Sequence, residues 1–226
     1  MKTGIFGGAF DPVHLGHIRL GSSAAREHHL ERLILLPTGI PPHKAALSAS
    51  AKDRVRLLKF AADNMSAELD IPVTVDEREV SGNVTNYTYV TLQGFHRDYP
   101  DDEFYFIMGG DSIEYFHSWV KPEVIASQAV LLAGRRKNVD EQVIKDLILD
   151  YAKRFNADVR LVGSPETDIS STKLREILKN LPYGMFSDYE AIKNSVEYKE
   201  LLSEILKFMD EKSLVYIYEN RVYDNI

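Results

Sequence analysis

The chain has 226 residues, 44% of them hydrophobic and 27% charged, which suits one folded α/β domain and excludes a disordered chain. Its net charge of −7 argues against a general DNA- or RNA-binding surface, because an acidic surface repels phosphate. There is no cysteine, so disulfides, thiolate metal sites and thiol catalysis are excluded; no apolar run reaches signal-peptide or membrane-spanning length, and the sequence reads as cytoplasmic, with no membrane partner.

Residues 2–6 form a short apolar run that predicts a strand, and 16–30 predict a helix. A second strand is expected over 32–36, ended by Pro37. Residues 52–65 carry Val55, Leu57, Leu58, Ala61 and Ala62 at helical spacing. The β-branched run 71–75 predicts a strand, 87–99 a helix, and 103–108 a strand bounded by Gly109 and Gly110. A strand over 129–133, a helix over 139–155, a strand over 158–162 and a helix over 170–178 follow. Strands that alternate with helices of this length imply right-handed βαβ units. The expected fold is α/β, a Rossmann-like doubly wound parallel sheet with helices on both faces. No repeat or linker is visible, so residues 1–226 read as a single domain, with 181–212 a helical C-terminal segment inside it. Over 189–209 a single helix is expected, its stripe of Leu201, Leu202, Ile205, Leu206 and Met209 packing into the core.

The most informative stretch is Gly7-Gly8-Ala9-Phe10-Asp11-Pro12-Val13-His14-Leu15-Gly16-His17. It joins a predicted strand to a predicted helix, the place where ligands bind in a doubly wound sheet. Its glycines allow a phosphate close to the backbone, and the backbone of Gly7, Gly8, Ala9 and Phe10 supplies N–H donors. The spacing departs from the G-x-G-x-x-G fingerprint, so hydride transfer is not suggested. His14 and His17 stand three apart and share a helix face. Such a pair serves as polar residues at a helix start, as a metal pair without an evident third ligand, or as a phosphate clamp acting with the helix N-terminus; the glycines and the junction favour the clamp.

A second motif is Ile169-Ser170-Ser171-Thr172-Lys173-Leu174-Arg175. Its hydroxyls read either as helix caps or, with Arg175 as a guanidinium fork, as an anion site. Together the two motifs resemble the signatures of the HxGH nucleotidyltransferase superfamily, Leu174 standing for the usual Ile.

Across nearly the whole chain the sequence is similar to the bacterial nicotinate-mononucleotide adenylyltransferases. Leu36 to Lys44 looks like that family's second-strand loop, ending Pro41-Pro42-His43-Lys44, and the resemblance gives Lys44 to the ATP phosphates. The segment from Asn86 to Leu92 assigns Tyr87 and Thr88 to the pyridine nucleotide; alone, Thr88 reads equally as a helix-start cap. Gly109-Gly110-Asp111 matches a Gly-Ala-Asp pattern, with Gly109 and Asp111 on the ATP side. Tyr115 and Trp119 fall to the pyridine pocket, Trp119 matching a ring-stacking Trp although Val120 departs from the usual next residue; a single Trp is otherwise more often core. Arg135 matches an Arg that packs on adenine. Residues 181–200 replace the family's usual segment, while 207–216 look like its closing helix.

The resemblance implies in-line transfer of AMP from ATP to nicotinate mononucleotide. His14, His17 and Arg175 would stabilise the polyphosphate, and Ser170, Ser171 and Thr172 would line the ATP site. Mg²⁺ would arrive on ATP, with no protein metal site. Nicotinamide mononucleotide or phosphopantetheine as acceptor, or a non-catalytic nucleotide-binding regulator, are the rival readings. The acidic surface argues against nucleic acid, and a homodimer is an allowed assembly.

Overall fold

The computed structural model describes residues 1–39, 47–82, 85–135, 141–164 and 169–224. In chain order these form β1 (Lys2–Gly8), α1 (Leu15–Glu27), β2 (Arg32–Pro37), α2 (Ala51–Leu69), β3 (Val73–Val75), α3 (Thr88–Asp98) and β4 (Glu103–Met108). Then come α4 (Gly110–Tyr115), a single 3₁₀ turn (Phe116–Ser118), α5 (Pro122–Ala126), β5 (Val130–Gly134), α6 (Glu141–Phe155), β6 (Val159–Val162) and α7 (Ser171–Leu178). The C-terminal part holds α8 (Tyr189–Lys193), α9 (Lys199–Ile205) and α10 (Glu211–Glu219).

The six strands form one sheet, in the order β3-β2-β1-β4-β5-β6, every pair parallel. β1 therefore lies in the middle, between β2 and β4, and the strand order reverses there. Both faces of the sheet are covered, and the sequence shows it residue by residue. Ile5, Ile34 and Phe106 face one core with Leu92, Phe95, Ile113 and Tyr151 from α3, α4 and α6. Their strand neighbours Phe6, Leu33, Leu35 and Ile107 face the other core, with Ala24, Leu57, Leu58 and Ala61 from α1 and α2. Side chains alternate along a strand, so a buried parallel sheet needs apolar residues at nearly every position, as the runs in β1, β2 and β4 supply.

Helix starts follow local chemistry. The Ser50 hydroxyl accepts from Asp53 N–H at 3.1 Å to begin α2, and the Asp210 carboxylate accepts from Ser213 N–H at 2.9 Å to begin α10. The single helix expected over 189–209 is instead two, α8 and α9, with α10 beyond. Asp188 caps α8 by accepting from Ala191 N–H, which starts the helix anew, and Asn194 to Tyr198 separate it from α9. The core reading of its stripe survives in part: Leu202, Ile205 and Met209 are buried, whereas Leu206 is exposed. Leu214, Ile217 and Tyr223 share the core that holds Phe10 and Leu57, so the C-terminal helices close the same face as α1 and α2. Among the described residues no helix is long and apolar enough to cross a membrane.

Candidate active site

Gly7 and Gly8 end β1, in register with Leu36 and Pro37. Neither has a positive φ. Their lack of a side chain answers to packing: a Cβ on Gly7 would stand 3.0 Å from the Phe106 ring, and one on Gly8 3.0 Å from the Phe10 ring. The left-handed residue of this turn is Phe10, at φ 48°, a conformation that costs a non-glycine residue about 1–2 kcal/mol. Burial of its ring holds it there. Phe10 is 1% exposed and meets Phe6 and His17 edge-on, at centroid distances of 5.3 and 5.0 Å.

His14 caps α1. Its Nδ1 accepts from Gly16 N–H at 3.1 Å, while its own N–H donates to His17 Nδ1 at 3.3 Å. The helix-start reading of the two histidines thus holds, the cap being made through Nδ1 of each ring. An Nδ1 that accepts a hydrogen bond leaves the proton of the neutral imidazole on Nε2. Each ring then has a donor at Nε2 and no lone pair for a cation, which argues against the metal-pair reading. The two rings lie 3.8 Å apart at their centroids, tilted by 35°. Burial lowers the pKa of His14 to about 4, so the ring is neutral at neutral pH. Two Nε2–H donors thus stand at the N-terminus of a helix, at the carboxyl end of the central strand, where the macrodipole also favours an anion.

The second motif, distant in sequence, packs against this turn. Ser171 Oγ donates to Pro12 O at 3.0 Å, and Arg175 Nη1 donates to Asp11 O at 2.6 Å. Arg175 Nη2 donates to Thr172 Oγ1 at 3.3 Å, and Ser170 Oγ accepts from Lys173 N–H at 3.2 Å. All three hydroxyls therefore have structural work: Ser170 caps α7, Ser171 fastens α7 to the turn, and Thr172 supports Arg175. The Arg175 side chain is 22% exposed, so part of the fork faces outward.

Sequence reasoning passed over Arg54. Its side chain is 2% exposed, and its Nη1 donates to Ala9 O at 2.7 Å, beneath the same turn. The signal was present, since Arg54 occupies the stripe continued by Leu57, Leu58 and Ala61, and a charge on the apolar face of a helix needs a buried acceptor. Asp11 is 3% exposed and likewise buried under the turn, accepting from Ser48 N–H at 2.7 Å and Ala49 N–H at 3.0 Å.

Beside β1, the end of β4 delivers Gly109 and Asp111. Gly109 precedes α4, and a Cβ there would meet nothing within 4 Å, so the space over this strand end is open. Asp111 lies exposed in the first turn of α4, and Arg135 follows β5, also exposed. The proposed acceptor residues lie on the side of the sheet served by α3 and α4. Tyr87 is 37% exposed and stacks near Tyr89 at 6.2 Å. It is Tyr87 that precedes α3, with Thr88 the first helical residue, so the cap reading of Thr88 does not hold. Tyr115 is 60% exposed. Trp119 is half-buried, its ring edge-on to Phe106 at 6.1 Å, so it belongs partly to the core and partly to the surface. Lys44 lies outside the described residues.

The Cytidylyltransferase-like family model matches residues 5–177, which holds both motifs. A "Probable nicotinate-nucleotide adenylyltransferase" of Listeria monocytogenes serotype 4a is 32% identical over 180 residues, 79% of this chain and 87% of the relative. The chain belongs to the nicotinate-nucleotide adenylyltransferase family. A member from Carboxydothermus hydrogenoformans is 33% identical over 81% of this chain and 89% of its own, and one from Listeria welshimeri is 30% identical over 98% and 97%. A solved structure, Plasmodium falciparum nicotinic acid mononucleotide adenylyltransferase complexed with NaAD, superposes with a TM-score of 0.74, covering 99% of this chain and 97% of that one. At 18% identity that likeness speaks for the shared fold alone, which is α/β and Rossmann-like.

Proposed function

We propose that the chain is a nicotinate-nucleotide adenylyltransferase. It transfers AMP from ATP to nicotinate mononucleotide, forming nicotinate adenine dinucleotide and pyrophosphate, in the NAD biosynthesis of the cytoplasm. Membership of the family supports the reading. The observation that carries it is the pair of histidines at the start of α1, each accepting a backbone hydrogen bond at Nδ1, with Arg175 fastened to the same turn.

The acceptor phosphate is already an anion, so its attack on the α-phosphorus of ATP needs no general base. What remains for the protein is alignment and neutralisation of the charge that builds on the polyphosphate. The imidazoles of His14 and His17 and the guanidinium of Arg175 supply donors for that charge. Because burial holds His14 neutral, it acts as a hydrogen-bond donor, not as a general acid. Gly109, Asp111 and Arg135 serve the adenosine half of ATP from the ends of β4 and β5. Tyr87, Thr88, Tyr115 and Trp119 serve the pyridine.

Mg²⁺ belongs to the proposal as a companion of ATP. The donors around the turn are imidazole N–H, guanidinium and backbone N–H groups, which suit phosphate oxygens and not a cation; the cation is held by the oxygens of ATP and by water. A homodimer is checked by sedimentation at micromolar concentration.

The test is pyrophosphate release from ATP and Mg²⁺, with nicotinate mononucleotide and nicotinamide mononucleotide compared as acceptors. Preference for the acid is expected. Preference for the amide replaces the acceptor and keeps the mechanism; no release with either removes the proposed activity.

A further inference from the structure

Asp11 sits inside the motif, its backbone carbonyl accepts from Arg175, and its carboxylate is crowded. Oδ1 accepts from Ala49 N–H at 3.0 Å and from the Tyr223 hydroxyl at 2.9 Å; Oδ2 accepts from Ser48 N–H at 2.7 Å. Arg175 Nη1 stands 3.9 Å from Oδ2, yet its short bond, at 2.6 Å, goes to the backbone carbonyl of Asp11. A guanidinium beside a buried carboxylate ordinarily closes into a direct, often bidentate, pair. Here three neutral donors fill the carboxylate first.

One of the three comes from the far end of the sequence. Tyr223 is completely buried, and burial, followed by the charge and hydrogen bond of Asp11, pushes its phenol well above the usual tyrosine range. It therefore stays protonated and donates. The same C-terminal part grips the turn again, since Leu15 N–H, next to His14, donates to Phe208 O at 2.7 Å.

We infer that Tyr223 is a positioning residue for the reaction: by filling the Asp11 carboxylate, its hydroxyl keeps the Arg175 fork turned toward ATP phosphates instead of closed on Asp11. Without the hydroxyl, Oδ1 loses one of its two donors; Arg175 already stands at ion-pair distance from the carboxylate, whereas Arg54, the other guanidinium acting on Asp11, is tied to Ala9 O. A guanidinium drawn into that pair is withdrawn from the polyphosphate. The role rests on the reading of Arg175 as an ATP-phosphate ligand.

The experiment compares Tyr223→Phe with Tyr218→Phe, which loses a buried hydroxyl near the end of α10 that bonds Pro182 O and Phe186 O, away from the turn. ATP binding is read by calorimetry with ATP and Mg²⁺, and kcat and KM by pyrophosphate release. Tyr223→Phe is expected to weaken ATP binding and to lower kcat by about ten-fold, leaving the KM of nicotinate mononucleotide unchanged, while Tyr218→Phe stays within two-fold of the native protein in all three. Adding Asp11→Asn to Tyr223→Phe removes the charge that captures Arg175, and is expected to restore most of the ATP affinity. The inference is overturned if Tyr223→Phe binds ATP like the native protein, if Tyr218→Phe loses as much, if the double variant gains nothing, or if Tyr223→Phe does not fold, since the hydroxyl then serves the fold. A native protein that binds ATP but releases no pyrophosphate with either mononucleotide defeats the proposed activity, and the ATP affinities still decide the role of Tyr223.

Discussion

The two arms of the site are built differently. The phosphate arm, from Gly7 to His17 with Arg175, is buried at its centre, Phe10 to His14, and cross-tied: Arg54, Ser171, Arg175, Tyr223 and Phe208 each hold the turn by a hydrogen bond. The acceptor arm shows Tyr87, Tyr115 and half of Trp119 to solvent. Charge stabilisation needs donors fixed before the charge appears, because reorganisation would cancel the gain. A flat ring needs only aromatic faces, and tolerates looser placement. The phosphate arm should thus respond to substitution mainly in kcat and in folding stability, and the acceptor arm mainly in KM for the mononucleotide.

The largest test of that contrast is His17→Ala. Loss of one preorganised donor should lower kcat by about 10²–10³-fold, with the fold kept as judged by circular dichroism. Near-native turnover would erase the distinction between the arms. Next comes Arg54→Met, which removes the buried guanidinium from Ala9 O and from the neighbourhood of Asp11. Chemical denaturation should show a loss of roughly 3 kcal/mol or more, the size typical of a buried charge left without its partner. A loss below about 1 kcal/mol would mean that the turn does not depend on its cross-ties.

Acid sharpens the comparison from the same side. Folding lowers the pKa of His14 from 6.5 to about 4, so between these values the unfolded chain binds the extra proton. Stability from this group is complete above about pH 6.5 and falls as pH drops toward 4, by up to about 3 kcal/mol in all, and His14→Gln should flatten that part of the curve. The smallest effect belongs to the acceptor arm. Trp119→Ala should raise KM for nicotinate mononucleotide by up to about ten-fold, the worth of one aromatic contact, with KM for ATP unchanged.

Much of this was legible in the residues. Alternating apolar runs gave six parallel strands, and Glu103–Met108 was read to the residue. Other strand limits were read to within two residues, because pairing and not composition sets where a strand stops. The short helices α4 and α5 were missed, having too few residues to show a period. The split of 189–209 into two helices was missed because the apolar stripe over 201–209 was extended back over Asn194 to Tyr198, a largely polar stretch where the backbone leaves the helix.

From the sequence alone came the strand–helix alternation, the two motifs, and the residue types able to hold a polyphosphate, since these depend on local periodicity and on side-chain chemistry. Only the tertiary structure decided how those residues act. The tautomers of the histidines follow from which backbone N–H each Nδ1 meets, and the neutrality of His14 from its burial. The availability of Arg175 follows from what else fills Asp11. Three of the ties join residues 45, 164 and 212 positions apart in the chain, and no local pattern encodes a contact that exists only once the sheet and its covering helices have brought those segments together.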